Sequence, residues 1–163
     1  MFKGIITAAL FGFFLTFNIE AIEASMISFY VIETGLPEKA ERNKHSTLWE
    51  NAFMDVFFDH GYIITNYPML RLGAKPEESI IKASGFDVDE AKDAGIEYIL
   101  IAQLDYDSLL KGPEEITFYL FTVAQHEIIY EKKISGKSYG LEKDEFNDLK
   151  TIIKEFVRFV SNF

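Results

Sequence analysis

The sequence predicts an α/β domain built on a five-stranded mixed sheet, ordered β-α-β-α-β-β-β-α. Three observations predict it. Short apolar runs with strand character alternate with capped helical segments through the first two thirds of the chain. Two further strands, "EITFYLFTV" and "EIIYEKKISG", are separated by only a few residues, the spacing of an antiparallel hairpin. A long amphipathic segment, Glu142 to Phe163, then closes the chain.

The first strand is "MISFYVIETG", Met26 to Gly35. Ile27, Phe29 and Val31 face one way, and Tyr30 and Ile32 the other. A strand apolar on both faces belongs inside a sheet. After the polar loop "LPEKAERNKHS", Thr47 and Glu50 have the spacing of a capping box, which predicts a helix starting there. Its buried stripe is Leu48, Trp49, Ala52, Phe53, Val56 and Phe57, and Gly61 ends it.

"YIITNY" is the second strand, closed by Pro68. In "KPEESIIKASG", Pro76 suits a first helical position, two acids follow in the first turn, and Gly85 terminates. "DVDEAKDAG" repeats that logic with Asp87 as cap, Glu90 three residues on, and Gly95 as stop. "IEYILIAQLDY", Ile96 to Tyr106, is the most hydrophobic strand and is therefore expected at the centre. "KGPE" breaks the chain before the hairpin. In the last helix, Phe146, Leu149, Ile152, Ile153, Phe156, Val157, Phe159, Val160 and Phe163 fall in one arc of about 160°. It is expected to pack on its own sheet. A partner-binding helix is the alternative, and too few cations lie on its polar face for a membrane-surface helix.

The chain start reads "MFKGIITAALFGFFLTFNIEAIEAS". Lys3 precedes an uncharged apolar run from Gly4 to Phe17, and Ala21 and Ala24 follow. That is the build of a secretory signal peptide over residues 1–24, and the run is short for a membrane span. An amphipathic first helix or a retained anchor is the alternative. Residues 25–163 are then expected to form one α/β domain without an integral span, periplasmic or secreted. No Cys is present, which excludes a lipid-bearing Cys, disulfides and thiolate metal sites. A net charge of −10 argues against nucleic acid and anionic membrane surfaces, both of which select a basic face.

The residues that could carry chemistry are few. "YEKKISGKSYG" contains Gly136-Lys137-Ser138, but a phosphate loop needs a Gly where Glu131 stands and a helix directly after. His45, His60 and His126 lack paired ligand spacing, so no metal is expected, nor any cofactor. Asp105 and Asp107 end the central strand, where α/β proteins often place function. Two alternating acids at a strand end are more often solvated or capping. Tyr119 and Phe121 point away from Ile116, Phe118 and Leu120, and with Tyr30 and Tyr130 they could make an apolar docking patch on the second face of the sheet. The alternative is that the C-terminal helix covers that face.

"AKDAGIEYILIAQLDY" resembles the segment A-x-x-x-G-(A/V)-D-Y-(V/I)-(L/I)-x-G-x-(I/L) of the TolB amino-terminal domain, the curli-secretion lipoproteins and the lipoprotein activators of penicillin-binding proteins. "FTVAQHEIIYEKKISG" is similar to their hairpin D-x-x-T-G-E-(I/V)-(I/V), with Glu127, Ile128 and Ile129 matching its end. The lipoproteins carry a Cys after the signal and this chain has none. The TolB domain precedes a propeller, which is not expected here. The resemblance implies a non-catalytic module that docks on envelope or periplasmic proteins. The other expectations from the residues are a small apolar-ligand or glycan binder and a hydrolase using Asp105 or Asp107.

Overall fold

A computed structural model describes residues 25–37, 41–76, 78–108 and 111–162. The predicted signal peptide lies outside the described residues, as does Phe163. The elements in order are β1 (Met26–Thr34), α1 (Lys44–Asp59), β2 (Ile63–Asn66), β3 (Leu70–Leu72), α2 (Ile80–Ala83), α3 (Val88–Asp93), β4 (Tyr98–Asp105), β5 (Glu115–Thr122), β6 (Glu127–Ser135) and α4 (Glu142–Val160). The sheet runs β2-β1-β4-β5-β6, with β3 also paired to β1. Pairing is parallel around β1 and antiparallel from β4 to β6. The mixed α/β class and the central place of β4 are as the sequence predicts.

Three local features differ from expectation. β3 is an additional short strand. Pro68 has no N–H to continue a ladder, so β2 stops at Asn66, and the chain resumes pairing with Leu70 opposite Ile32. Helix α1 starts at Lys44, not at the Thr47–Glu50 box. Asn43 caps it, its side chain accepting from the His45 N–H at 3.0 Å. Glu50 instead bonds Asn66 at 3.0 Å and Arg42. Helix α2 covers only Ile80–Ala83, leaving Pro76 and Glu78 ahead of it.

Both faces of the sheet are covered. On the first, Phe29, Leu100 and Phe118 lie under α1 and α4, which contribute Trp49, Phe53, Leu149 and Phe156. The Phe29 and Phe53 rings stack at 4.1 Å, and Phe118 meets Phe156 at 4.5 Å. Each such buried ring contributes about 1.5–3 kcal/mol relative to exposure. On the second face, Tyr30, Ile32, Ile99, Ile101 and Phe121 lie under Ile80 of α2, Ala91 of α3 and Ile96. The apolar stripe of α4 is thus spent on the fold's own core, as its periodicity predicts. The Asp87 cap of α3 is also as expected, accepting from the Asp89 and Glu90 N–H groups at 3.0 Å each.

Candidate functional site

The four aromatic residues expected to form one patch are not brought together. Tyr30 and Phe121 are buried on the second face, and Tyr119 is half-buried there. What covers that face is α2 and α3, not the C-terminal helix. Tyr130 lies on the first face, 4.2 Å from the Phe159 ring and 5.5 Å from Phe156. The cause is a bulge in the β5–β6 hairpin. Phe121 pairs with Ile128, but Leu120 pairs with Tyr130, so Ile129 is the extra residue. One inserted residue turns Tyr130 to the opposite face from Tyr119.

β1 lies between β2 and β4, so the C-terminal ends of β1 and β4 meet at a topological switch point, where α/β proteins commonly bind ligands. Asp105 sits there. It accepts from Thr34 Oγ1, from Gln103 Nε2 at 2.9 Å and from Lys75 Nζ at 2.9 Å. Burial alone would push its carboxyl pKa up, but these three bonds and the Lys75 charge outweigh burial and hold it below its ordinary value. Glu115 lies 2.9 Å from the same lysine, and the two acids hold the Lys75 ammonium well above its ordinary pKa. Asp105 is therefore a well-bonded carboxylate that anchors a loop, poorly suited to moving protons. Asp107 is exposed and pairs with Lys111 at 3.3 Å, so the two acids do not converge on one site.

The histidines lie apart. His60 bonds the Val56 carbonyl at 2.6 Å at the end of α1, and His126 sits exposed in the hairpin at φ 57°. His45 contacts Glu145. Among the described residues no group of three His, Cys, Asp or Glu side chains is placed to hold a metal. Gly136 has a packing role. A Cβ there would lie 1.6 Å from the Pro113 carbonyl oxygen, and its N–H donates to Glu114 O at 2.7 Å. Lys137 pairs with Asp148 at 2.8 Å. The Gly-Lys-Ser run is the point where the end of β6 crosses the loop before β5.

Two features escape the sequence reading. The first is a cavity of about 230 Å³ between β6 and α4, walled by Trp49, Ile116, Ile134, Leu149 and Ile152, with Glu145 among its lining residues. The stripe of α4 announces burial, but not a gap left in the packing. The second is the edge strand β2, "IITN", which carries no charge. Its Ile63 N–H bonds the Ser25 carbonyl at 3.2 Å and the following Tyr67 N–H bonds Phe29 at 2.9 Å. By alternation, the backbone groups of Ile64 and Asn66 face outward. Phe58, 75% exposed, and Ile63, 49% exposed, flank that edge. Strand order decides which runs become edges, and a local pattern does not contain it.

Among the described residues, no helix is long and apolar enough to cross a membrane. No curated protein matches this chain. Among solved structures it is similar to the PelC dodecamer from Paraburkholderia phytofirmans (TM-score 0.48, 11% identity, 80% of this chain and 85% of that one). It is also similar to TolB from Acinetobacter baumannii (TM-score 0.45, 12% identity, 78% of this chain and 27% of that one). A third is the LpoB C-terminal domain from Salmonella enterica (TM-score 0.42, 14% identity, 73% and 87%). A family model described as "Uncharacterised protein" matches residues 27–146, and the chain belongs to that family.

Proposed function

We propose that this chain is an exported, non-catalytic interaction module of the bacterial cell envelope that docks an extended segment of another envelope or periplasmic protein along β2. Export rests on Lys3, the Gly4–Phe17 run and the Ala21/Ala24 exit, with residues 1–24 removed as a signal peptide. The observation that carries the docking reading is the contrast between the two sheet edges. β6 bears Glu127, Glu131, Lys132 and Lys133 and carries a bulge near its start, both means by which proteins blunt an edge. β2, by contrast, bears no charged side chain, and among the described residues its pairing with β1 is free of bulges. It presents outward backbone donors and acceptors between exposed apolar side chains, which suit strand addition. The partner surface therefore moves from Tyr30, Tyr119, Phe121 and Tyr130 to Phe58, Ile63, Ile64 and Asn66. The bonds that occupy Asp105 and its distance in role from Asp107 support a non-catalytic reading over hydrolysis.

Asn66→Pro tests this. It deletes the outward N–H while leaving the Tyr67 bond to β1, and proline is tolerated on that side of an edge strand. Asn66→Ala is the control, since both changes lose the side-chain bond to Glu50. A photo-crosslinker at Phe58 in the intact envelope should capture an identifiable envelope protein in wild type and in Asn66→Ala, and lose it in Asn66→Pro. Capture that survives Asn66→Pro, or no envelope partner at all, overturns the reading.

A further inference from the structure

The cavity between β6 and α4 has a polarity that its walls do not explain. Trp49, Ile116, Ile134, Leu149 and Ile152 make it apolar, and its volume is about 230 Å³. An apolar cavity of about 150 Å³ already holds benzene. On the same wall is Glu145, only 2% exposed. Its sole side-chain partner among the described residues is His45, whose Nδ1 lies 2.7 Å from each carboxylate oxygen. An ionised carboxylate accepts about four hydrogen bonds, and one imidazole N–H supplies one. Both oxygens are satisfied by that one N–H, and the remaining acceptor sites are open to a further donor.

The rim does not supply the missing donors. Lys132 is held by Glu155 at 2.6 Å, and Lys137 by Asp148 at 2.8 Å. Tyr139 donates to that same Asp148 at 2.5 Å. Each rim cation is balanced by an acid of α4, so an anionic ligand finds no free counter-charge there. The Glu145 carboxylate, by contrast, shares a single imidazole N–H between its two oxygens and keeps acceptor capacity to spare.

We propose that this cavity binds a small apolar molecule carrying a primary ammonium group. The hydrocarbon or ring lies against Trp49 and the aliphatic walls, and the ammonium donates to Glu145. An ammonium brings three donors and a matching charge, and an aromatic wall favours a cation further. The site is separate from the β2 edge, so either can fail without the other.

Trp49 is the chain's single tryptophan and lines the cavity, which makes its fluorescence a direct reporter. Purified protein would be titrated with benzylammonium, benzyl alcohol and benzoate, following Trp49 emission and melting temperature. Benzylammonium should give a saturable change and a stabilisation. Benzyl alcohol should bind at least about tenfold more weakly and benzoate not at all, because a charge-assisted bond to a buried acid separates them. Glu145→Gln keeps the shape and should bring benzylammonium down to the level of the alcohol. Ile152→Phe, which narrows the cavity from its half-buried side, should weaken both ligands together. Equal binding of ammonium and alcohol overturns the proposal, as does an unchanged preference in Glu145→Gln. So does the absence of saturable binding, the result expected if the space holds water.

Discussion

Nδ1 of His45 lies 2.7 Å from both carboxylate oxygens of Glu145, joining the first turn of α1 to the first turn of α4 across 100 residues of sequence. The two side chains are only 13% and 3% exposed. A carboxylate can only accept, so Nδ1 carries the proton and donates. The pair fixes where the two helices covering the first face begin.

Breaking this pair from one side should be more harmful than removing it whole. His45→Ala leaves Glu145 buried with no partner and should cost about 3–5 kcal/mol, whereas replacing both by Leu should recover most of that loss. A double-mutant cycle in denaturant measures it. A His45→Ala protein within about 0.5 kcal/mol of wild type would show the contact to be energetically idle.

The packing of α4 gives a second test. Phe156 is 2% exposed and meets Phe118 at 4.5 Å and Phe53 at 6.5 Å. Phe156→Ala should cost about 3–5 kcal/mol through lost burial and a cavity. The exposed Lys154→Ala should stay within about 0.5 kcal/mol. Chemical denaturation of the two variants compares them directly, and equal midpoints would contradict the packing.

What could be read from sequence follows the range of the interactions involved. The stripe of α4 and the two apolar faces of β1 are local periodicities, and both survive in the fold. The Asp87 cap is equally local. The start of α1 was not legible, because the Thr47–Glu50 spacing competes with Asn43 and tertiary contacts decide between them. Asn43 is buried, and its N–H donates to the buried Glu33 at 3.2 Å, which fixes the earlier start. The Tyr130 face failed for a different reason. Simple alternation across the hairpin puts it beside Tyr119, and a single bulged residue, Ile129, reverses the answer.

Two glycines should prove far less replaceable than their neighbours. At Gly35 φ is +80°, and a Cβ would lie 2.1 Å from the Tyr106 carbonyl oxygen. At Gly136 it would lie 1.6 Å from the Pro113 oxygen. Both obstacles are backbone and cannot swing aside. Gly35→Ala and Gly136→Ala should each cost well over about 2 kcal/mol. Gly95→Ala, at φ +77° but facing open space, should cost only the left-handed strain of about 1–2 kcal/mol. Thermal melts rank the three. A Gly136→Ala protein as stable as Gly95→Ala would remove the packing account of Gly136 and reopen the question of why Gly-Lys-Ser stands there.

The Asp105 carboxyl sets the last prediction. Burial would raise its pKa, but the bonds from Thr34, Gln103 and Lys75 prevail, and it titrates below its ordinary value. A carboxyl depressed in the folded state binds its proton more readily once the chain unfolds. Its stabilisation is therefore fully present above the ordinary carboxylate range and is lost as pH falls through the depressed folded value. Stability should decline on acidification below about pH 5. Asp148 is depressed by Lys137 and Tyr139, so part of that decline belongs to the rim of the cavity. Asp105→Asn should lower stability at neutral pH, because the Lys75 ammonium loses one of its two acids. It should also make the acid decline shallower, because the group that took up the proton is gone. Urea melts from about pH 7 to pH 3 separate the two effects. If the wild-type and Asp105→Asn curves run parallel through that range, Asp105 is not the titrating anchor that its three donors imply.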